Sequence, residues 1–375
     1  MKKLDTSLFI AVVGLAIFGL VMMSSMSVSA SFELTSRLFD EPSNNYYFLK
    51  HLQYLVLFAT PAFLLGAWLP SSVWRKWSPL MYLGGIALLI LVFFIGENYN
   101  TTARQWIKLP GIPSIQPVEI VKIAMVVFFS ALFANKKLEP DTFAGGFLPF
   151  VVILAVPSAL IIAQPDFGSW FVMTTACAAI YFAAGGHIRH MIVGAIVALG
   201  GLLGLIKLLQ FDYIFRRLGT FFAPDPTSDV AYQITQAKIA IGSGGLWGRG
   251  FQNSIQKFNY LPEVQSDTIF SAISEEMGFF RILLLIGVYL LIAHRGFHIA
   301  AHAPDQFTKL LAVGLTTLVV GQAFINIAVN LALFPNTGIT LPLLSYGGTS
   351  LMFTLLTLGI LLHISGNLQY RNKRY

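Results

Sequence analysis

Ten apolar runs, roughly 7–29, 52–69, 79–96, 118–134, 147–163, 169–185, 191–210, 279–295, 309–333 and 349–364, leave this chain few ways to fold. A run of about 20 apolar residues spans a bilayer as a helix, and in lipid every backbone N–H and C=O must be satisfied within the segment. The 375 residues are 56% hydrophobic and 11% charged, where a soluble domain carries about a quarter charged. The pattern predicts an all-α polytopic membrane protein, a single membrane domain of ten transmembrane helices over residues 1–375. The first run follows Lys2 and Lys3 and ends near the small residues of "SVSAS", as a signal peptide does. Its apolar core exceeds the ~7–15 residues of a signal, so a retained helix is expected.

Ten spans put both termini on one side. That side holds the N-terminus, Arg75, Lys76, Lys136, Lys137, Arg189, Arg295, Lys309 and the tail "RNKRY". The short links opposite carry fewer Lys and Arg, so positive charge inside places both termini in the cytoplasm. The net charge of +7 therefore reads as topology and lipid contact rather than nucleic-acid binding. One long extracytoplasmic loop, 211–278, joins helices 7 and 8. Within it "AYQITQAKIAIGSGGLWG" reads as a short amphipathic helix ending at glycines. The "GSGG" lacks the Lys and Ser/Thr of a phosphate-binding loop and reads as a flexible turn. Cys177, the one cysteine, excludes an internal disulfide.

Polar groups at membrane depth are costly and point to function. "QPVEIVKIAM" opens the fourth run with Pro117 in a first helical turn. Glu119 and Lys122, three apart, share a face. They form an ion pair there, or Lys122 binds an anionic substrate group. Arg104 in "TARQWIKLPG" suits a phosphate or carboxylate. Asp166 in "QPDFGS" reads as a cap or loop brace. "TGITLPLLSYGGTS" breaks the backbone between the ninth and tenth runs, which is tolerated only under cover of protein or water. It reads as a cavity wall. His294, His298 and His302 share a stripe but have no further ligand nearby in sequence, and an interfacial helix accounts for them.

The densest acidic stretch is "YLPEVQSDTIFSAISEEMGF", 260–279. On a helix, Asp267 and Glu275 would lie about 12 Å apart along the axis and about 80° around it. Two-carboxylate glycoside hydrolysis needs roughly 5–9.5 Å, so the stretch alone does not supply such a pair and leaves room for a single general base. By composition alone, the favoured reading of Ser266 and Asp267 is the helix N-cap.

These stretches, "ARQWI", "QPVEIVK", "QPDFGS", "AYQITQAKIAIGSGGLWGRG", "YLPEVQSDTIF…EEMG" and "TGITLPLLSYGG", occur in the order found in the SEDS proteins (RodA, FtsW and SpoVE), which the chain resembles over nearly its whole length. "NSIQKFNYLPE" and "QAFINIAVNLALFPNTGITLPLLSYGGTS" are more similar to the division members, the FtsW proteins, than to RodA. The chain departs from the family at Ser266-Asp267-Thr268, where Thr-Asp-Phe is usual, and at Ser274, where Gly is frequent.

The resemblance implies a peptidoglycan glycosyltransferase that polymerises lipid II at the outer face of the bacterial cytoplasmic membrane. It works with a class B penicillin-binding transpeptidase and other divisome or elongasome proteins. The family's essential aspartate falls on Asp267. Lys122 and Glu119 are supported at the site. Arg104, Arg217, Lys238 and Ser345 are candidate substrate contacts. Glu275 and Glu276 match the family's acidic pair, and Glu275 either lines the cavity or belongs to a polar network that supports the helix. No cofactor is obligatory, with a divalent cation (Mg or Mn) as an option at the diphosphate. The competing reading is a lipid II flippase or other transporter, which should hold its charges near the bilayer midplane.

Overall fold

The computed structural model describes residues 4–96, 105–108, 114–135, 138–194, 219 and 228–368. The fold is 74% helix, with no strands among the described residues. In chain order the helices are α1 Thr6–Met26, α2 Val28–Leu38 and α3 Tyr46–Tyr54, which runs through a π-helical turn into α4 Thr60–Trp68. Then come α5 Ser71–Ile95, α6 Pro117–Phe133, α7 Leu148–Ala163 behind a second π-helical turn, and α8 Phe167–Ala183. Last are α9 Asp229–Ser243, α10 Ile269–Ala301, α11 Gln306–Asn330 and α12 Gly348–Ser365.

Among the described residues seven stretches are long and apolar enough to cross a membrane: Thr6–Met26, Tyr46–Trp68, Ser71–Ile95, Phe143–Ala163, Ile269–Ala301, Gln306–Asn330 and Gly348–Ser365. The expected runs at 118–134 and 169–185 appear as α6 and α8, each 17 residues long. Most of the run at 191–210 lies outside the described residues. The link at 30–51 is partly helical: α2 and the start of α3 occupy it.

The helix ends follow from local chemistry. Asp5 caps α1 by accepting from the Leu8 N–H at 2.9 Å. Pro117 takes the first turn of α6, where no amide is needed. Asp166 accepts from the Ser169 N–H at 3.0 Å and caps α8. Asp305 and Thr308 form a reciprocal capping box on α11.

α1 exposes Phe9, Ile10, Val13, Ile17 and Val21 and buries Leu8, Leu15 and Met22. α11 and α12 sit at the centre, with most residues buried. α12 meets α4 where a Cβ at Gly66 or Gly359 would strike backbone of the facing helix, so only small residues allow the approach. α1 and α10 run antiparallel. Arg295 on α10 donates from Nε to Asp5 Oδ2 at 2.8 Å at one end, and Ser25 on α1 donates to Glu276 on α10 at 2.7 Å at the other.

α10 is interrupted. Gly278 has φ +74°, ψ 174°, and divides it into a short segment ending at Met277 and a long apolar one. A side chain at Gly278 would collide with the Trp247–Gly248 backbone. The chain at 244–250 instead docks on the break: Arg249 N–H donates to Glu275 O at 2.9 Å, Gly250 N–H to Glu276 O at 3.0 Å and Phe279 N–H to Gly245 O at 2.9 Å. The "GSGG" read as a flexible turn is thus a packed one, with Gly244 against the Ser274 carbonyl. α10 also runs on to Ala301, so His294 and His298 belong to it, and the His298 and His302 rings stack at 4.3 Å.

Candidate active site

Asp267 lies one residue before the cap of α10. The cap position itself falls on Thr268, whose hydroxyl donates to Pro262 O rather than capping the helix. The reading of Ser266 and Asp267 as the cap is therefore corrected. Asp267 is half-buried, and its Oδ1 accepts from the Ser266 hydroxyl at 3.4 Å.

The backbone leading to Asp267 is held from outside. Gln265 O accepts from the Tyr346 N–H at 2.7 Å. Ser266 O accepts from the Ser345 hydroxyl, which also accepts from the Leu341 N–H at 2.7 Å. Asp267 O accepts from Asn326 Nδ2 at 2.8 Å and Asn330 Nδ2 at 3.0 Å. The broken segment between α11 and α12 thus packs on the catalytic candidate, and Tyr289 on α10 pins it by donating to Pro342 O at 2.6 Å. Burial, and then the nearby Tyr54 phenol, push the Tyr346 phenol well above the usual tyrosine range, so it stays neutral. Ser345 reaches the Asp267 segment as a backbone brace.

Lys122 and Glu119 are both buried on α6. Lys122 Nζ donates to Glu119 Oε1 at 2.8 Å and to Gln322 Oε1 at 2.8 Å. Gln322 in turn donates to Thr340 O at 3.1 Å. Gln322, Asn326 and Asn330 make one stripe down α11 that joins the α6 ion pair, the broken segment and Asp267. Sequence reasoning missed this stripe. Its signal was in plain view: three amides at i, i+4, i+8 inside an apolar run.

Glu275 and Glu276 are both wholly buried but serve a different region. Glu275 accepts from Ser243 Oγ at 3.2 Å, Ser254 Oγ at 2.5 Å and the Ile255 and Gln256 N–H groups at 3.2 and 3.1 Å, and Arg249 Nε lies 3.3 Å away. Glu276 Oε1 accepts from Ser25 and from Lys257 Nζ at 3.0 Å, while its buried Oε2 has no hydrogen-bond partner among the described residues. The two acids fasten the 249–257 loop to α10. Glu275 lines neither of the cavities described next.

A crevice of ≈ 10 Å³ at Asp267 is lined by Gln233, Ile234 and Ala237 of α9 with Thr268, Val329, Asn330 and Asn336. That is room for about one water. Asn336 Nδ2 donates to Gln233 Oε1 at 2.6 Å and holds α9 over it. A second, open cavity of ≈ 320 Å³ lies beyond Glu263, with Glu33, Lys257 and Asn259 on its walls. Lys238 is exposed on α9. Arg104 and Arg217 lie outside the described residues. Among the described residues no group of three or more His, Cys, Asp or Glu is placed to hold a metal ion.

Fold and site together define a multi-pass helical membrane protein with a braced carboxylate at one end of its bundle. The sequence matches the FtsW–RodA–SpoVE family, described as "Cell cycle protein", over residues 5–370, and the chain belongs to that family. It is 35% identical to the probable peptidoglycan glycosyltransferase FtsW of Geobacter sp. (strain M18), covering 96% of each chain. It is 39% identical to stage V sporulation protein E of Bacillus subtilis (strain 168), covering 79% of this chain and 81% of that protein. In fold it is similar to the rod shape determining protein RodA of Thermus thermophilus, at a TM-score of 0.70 and 24% identity over 97% of each chain. It is also similar to a chain of a peptidoglycan synthase complex that coordinates polymerization and crosslinking, at a TM-score of 0.78 and 23% identity over 98% of this chain and 99% of that one.

Proposed function

We propose that this protein is a peptidoglycan glycosyltransferase that polymerises lipid II into β-1,4 glycan strands, in septal wall synthesis. The observation that carries the activity is the likeness, over 96% of the chain, to a protein named peptidoglycan glycosyltransferase FtsW. The geometry supplies the roles. Asp267 is the general base and takes the proton from the acceptor sugar's 4-hydroxyl as its oxygen attacks the donor's anomeric carbon. The new C–O bond forms as the bond to the lipid diphosphate breaks, and one displacement inverts α to β. Diphosphate leaves carrying its own charge and needs neutralisation more than a proton.

Lys122 is spent on Glu119 and Gln322, so in this reading the pair sets the local field and the wall of the site. Arg104, Arg217 and Lys238 in the outward segments meet the diphosphate. A divalent cation would serve the same end, and no step above uses one. Ser345 and Glu275 act through the backbone they hold.

The membrane arrangement belongs to the same proposal. The chain forms one ten-helix domain with both termini in the cytoplasm, the 211–278 loop outside and the active site at the outer face of the cytoplasmic membrane. In support, Asp5 and Arg295 pair at one end of the bundle and Asp267 lies toward the other. A class B penicillin-binding transpeptidase is the proposed partner.

Purified protein with such a partner is expected to make glycan chains from lipid II, and Asp267→Asn to abolish them while the complex still assembles. Normal polymer from the Asn variant would sink the base assignment. Movement of lipid II across vesicles without polymer would favour a transporter.

A further inference from the structure

We propose that Asn326 and Asn330 are positioning residues that aim the Asp267 carboxylate, an inference that rests on Asp267 being the general base. The first carbonyl used by α10 is that of Thr268, which accepts from the Ser271 and Ala272 N–H groups. Asp267 O therefore has no place in the helical ladder, and a buried carbonyl without a partner is costly. Two side-chain amides from α11 fill the gap. Their orientation is fixed by the rest of the network. Asn326 spends its second proton on Ile339 O at 2.7 Å. Asn330 Oδ1 accepts from the Ser271 hydroxyl at 2.7 Å, so its Nδ2 must face Asp267.

Consecutive carbonyls of Gln265, Ser266 and Asp267 are each taken by a donor from beyond the segment. The peptide plane between Asp267 and Thr268 can then turn only by breaking the bonds to both amides. With the preceding plane held through Ser266 O, this fixes the N–Cα–C frame from which the Asp267 side chain leaves the backbone. Polar side chains between membrane helices often act only as glue. Here they converge on one carbonyl of the residue that needs aim.

The test uses the full chain with its partner, comparing Asn326→Ala, Asn330→Ala and the double variant in lipid II polymerisation. A misaimed base lowers kcat and leaves substrate affinity alone. Each single variant is expected to lose about 10- to 100-fold in kcat with KM for lipid II within about twofold. Both amides serve one carbonyl, so the double variant should fall only slightly below the worse single. Thermal unfolding and complex assembly are measured on the same samples to correct for lost folded protein. Wild-type kcat in the Asn variants, with Asp267→Asn inactive, overturns this inference and spares the base. Losses that merely track the folded fraction overturn it too. An active Asp267→Asn variant overturns the base assignment and this inference with it.

Discussion

Lys257 and Glu276 show how one residue's surroundings decide its role. Both are buried, and Lys257 also donates to Ser25 Oγ at 3.1 Å and Gln252 O at 2.7 Å. Removing one member of a buried pair strands the other charge, which costs about 3–5 kcal/mol, whereas replacing both by apolar groups is often near neutral. Lys257→Met is expected to lower stability by that amount in thermal unfolding of the detergent-solubilised protein, and Lys257→Met with Glu276→Leu to recover most of it. Equal losses in the two would show that the pair is not what fastens the loop. From sequence, Glu275 and Glu276 read as acids that either line the cavity of Asp267 or support the helix in a polar network, and the second reading is nearer to what they do. Their i, i+1 spacing carries no sign of which side chains wait across the fold.

At the scale of elements, α9 is the helix that packs beside Asp267. It caps the crevice with Gln233, Ile234 and Ala237 and is tied to the broken segment through Asn336. A space of ≈ 10 Å³ admits no sugar, so if the acceptor reaches Asp267 through this crevice, α9 lifts during turnover. Gln233→Cys with Asn336→Cys, bridged by oxidation, is expected to abolish polymerisation, with activity returning on reduction. Full activity in the bridged protein would place the substrate path elsewhere. The helix itself was legible: its apolar spacing and its glycine end match α9, and the structure adds a Ser228 cap. That it closes over Asp267 was not, because residues far apart in sequence meet there. The kink at Gly278 was half legible. The expected span began at 279, where the regular apolar helix resumes, but the glycine's left-handed backbone follows from the loop docked against it.

For the whole molecule, the ends of the bundle are defined by what pairs there. Asp5, Arg295 and Ser365 meet at one end, with Asp5 N–H donating to the Ser365 hydroxyl at 3.0 Å. The proposed sidedness predicts that a membrane-impermeant thiol reagent labels Lys238→Cys in intact spheroplasts and labels Gln306→Cys only after the membrane is opened. Both positions are exposed, and Cys177 is buried and stays silent. The reverse pattern would invert the topology and put Asp267 in the cytoplasm.

The sequence by itself determined the helical membrane class, most helix positions and the candidate base. Apolar run length and cap chemistry are local properties, and the order of the motifs carried the family resemblance that selected Asp267. Only the tertiary structure decided which polar groups serve that base. It joined Asp267 to the amide stripe of α11, set Lys122 against Glu119 and Gln322, and drew Glu275 and Glu276 away to hold a loop. In a chain that is 11% charged, each buried polar group must find a partner wherever the packing brings one, and that pairing is settled in three dimensions.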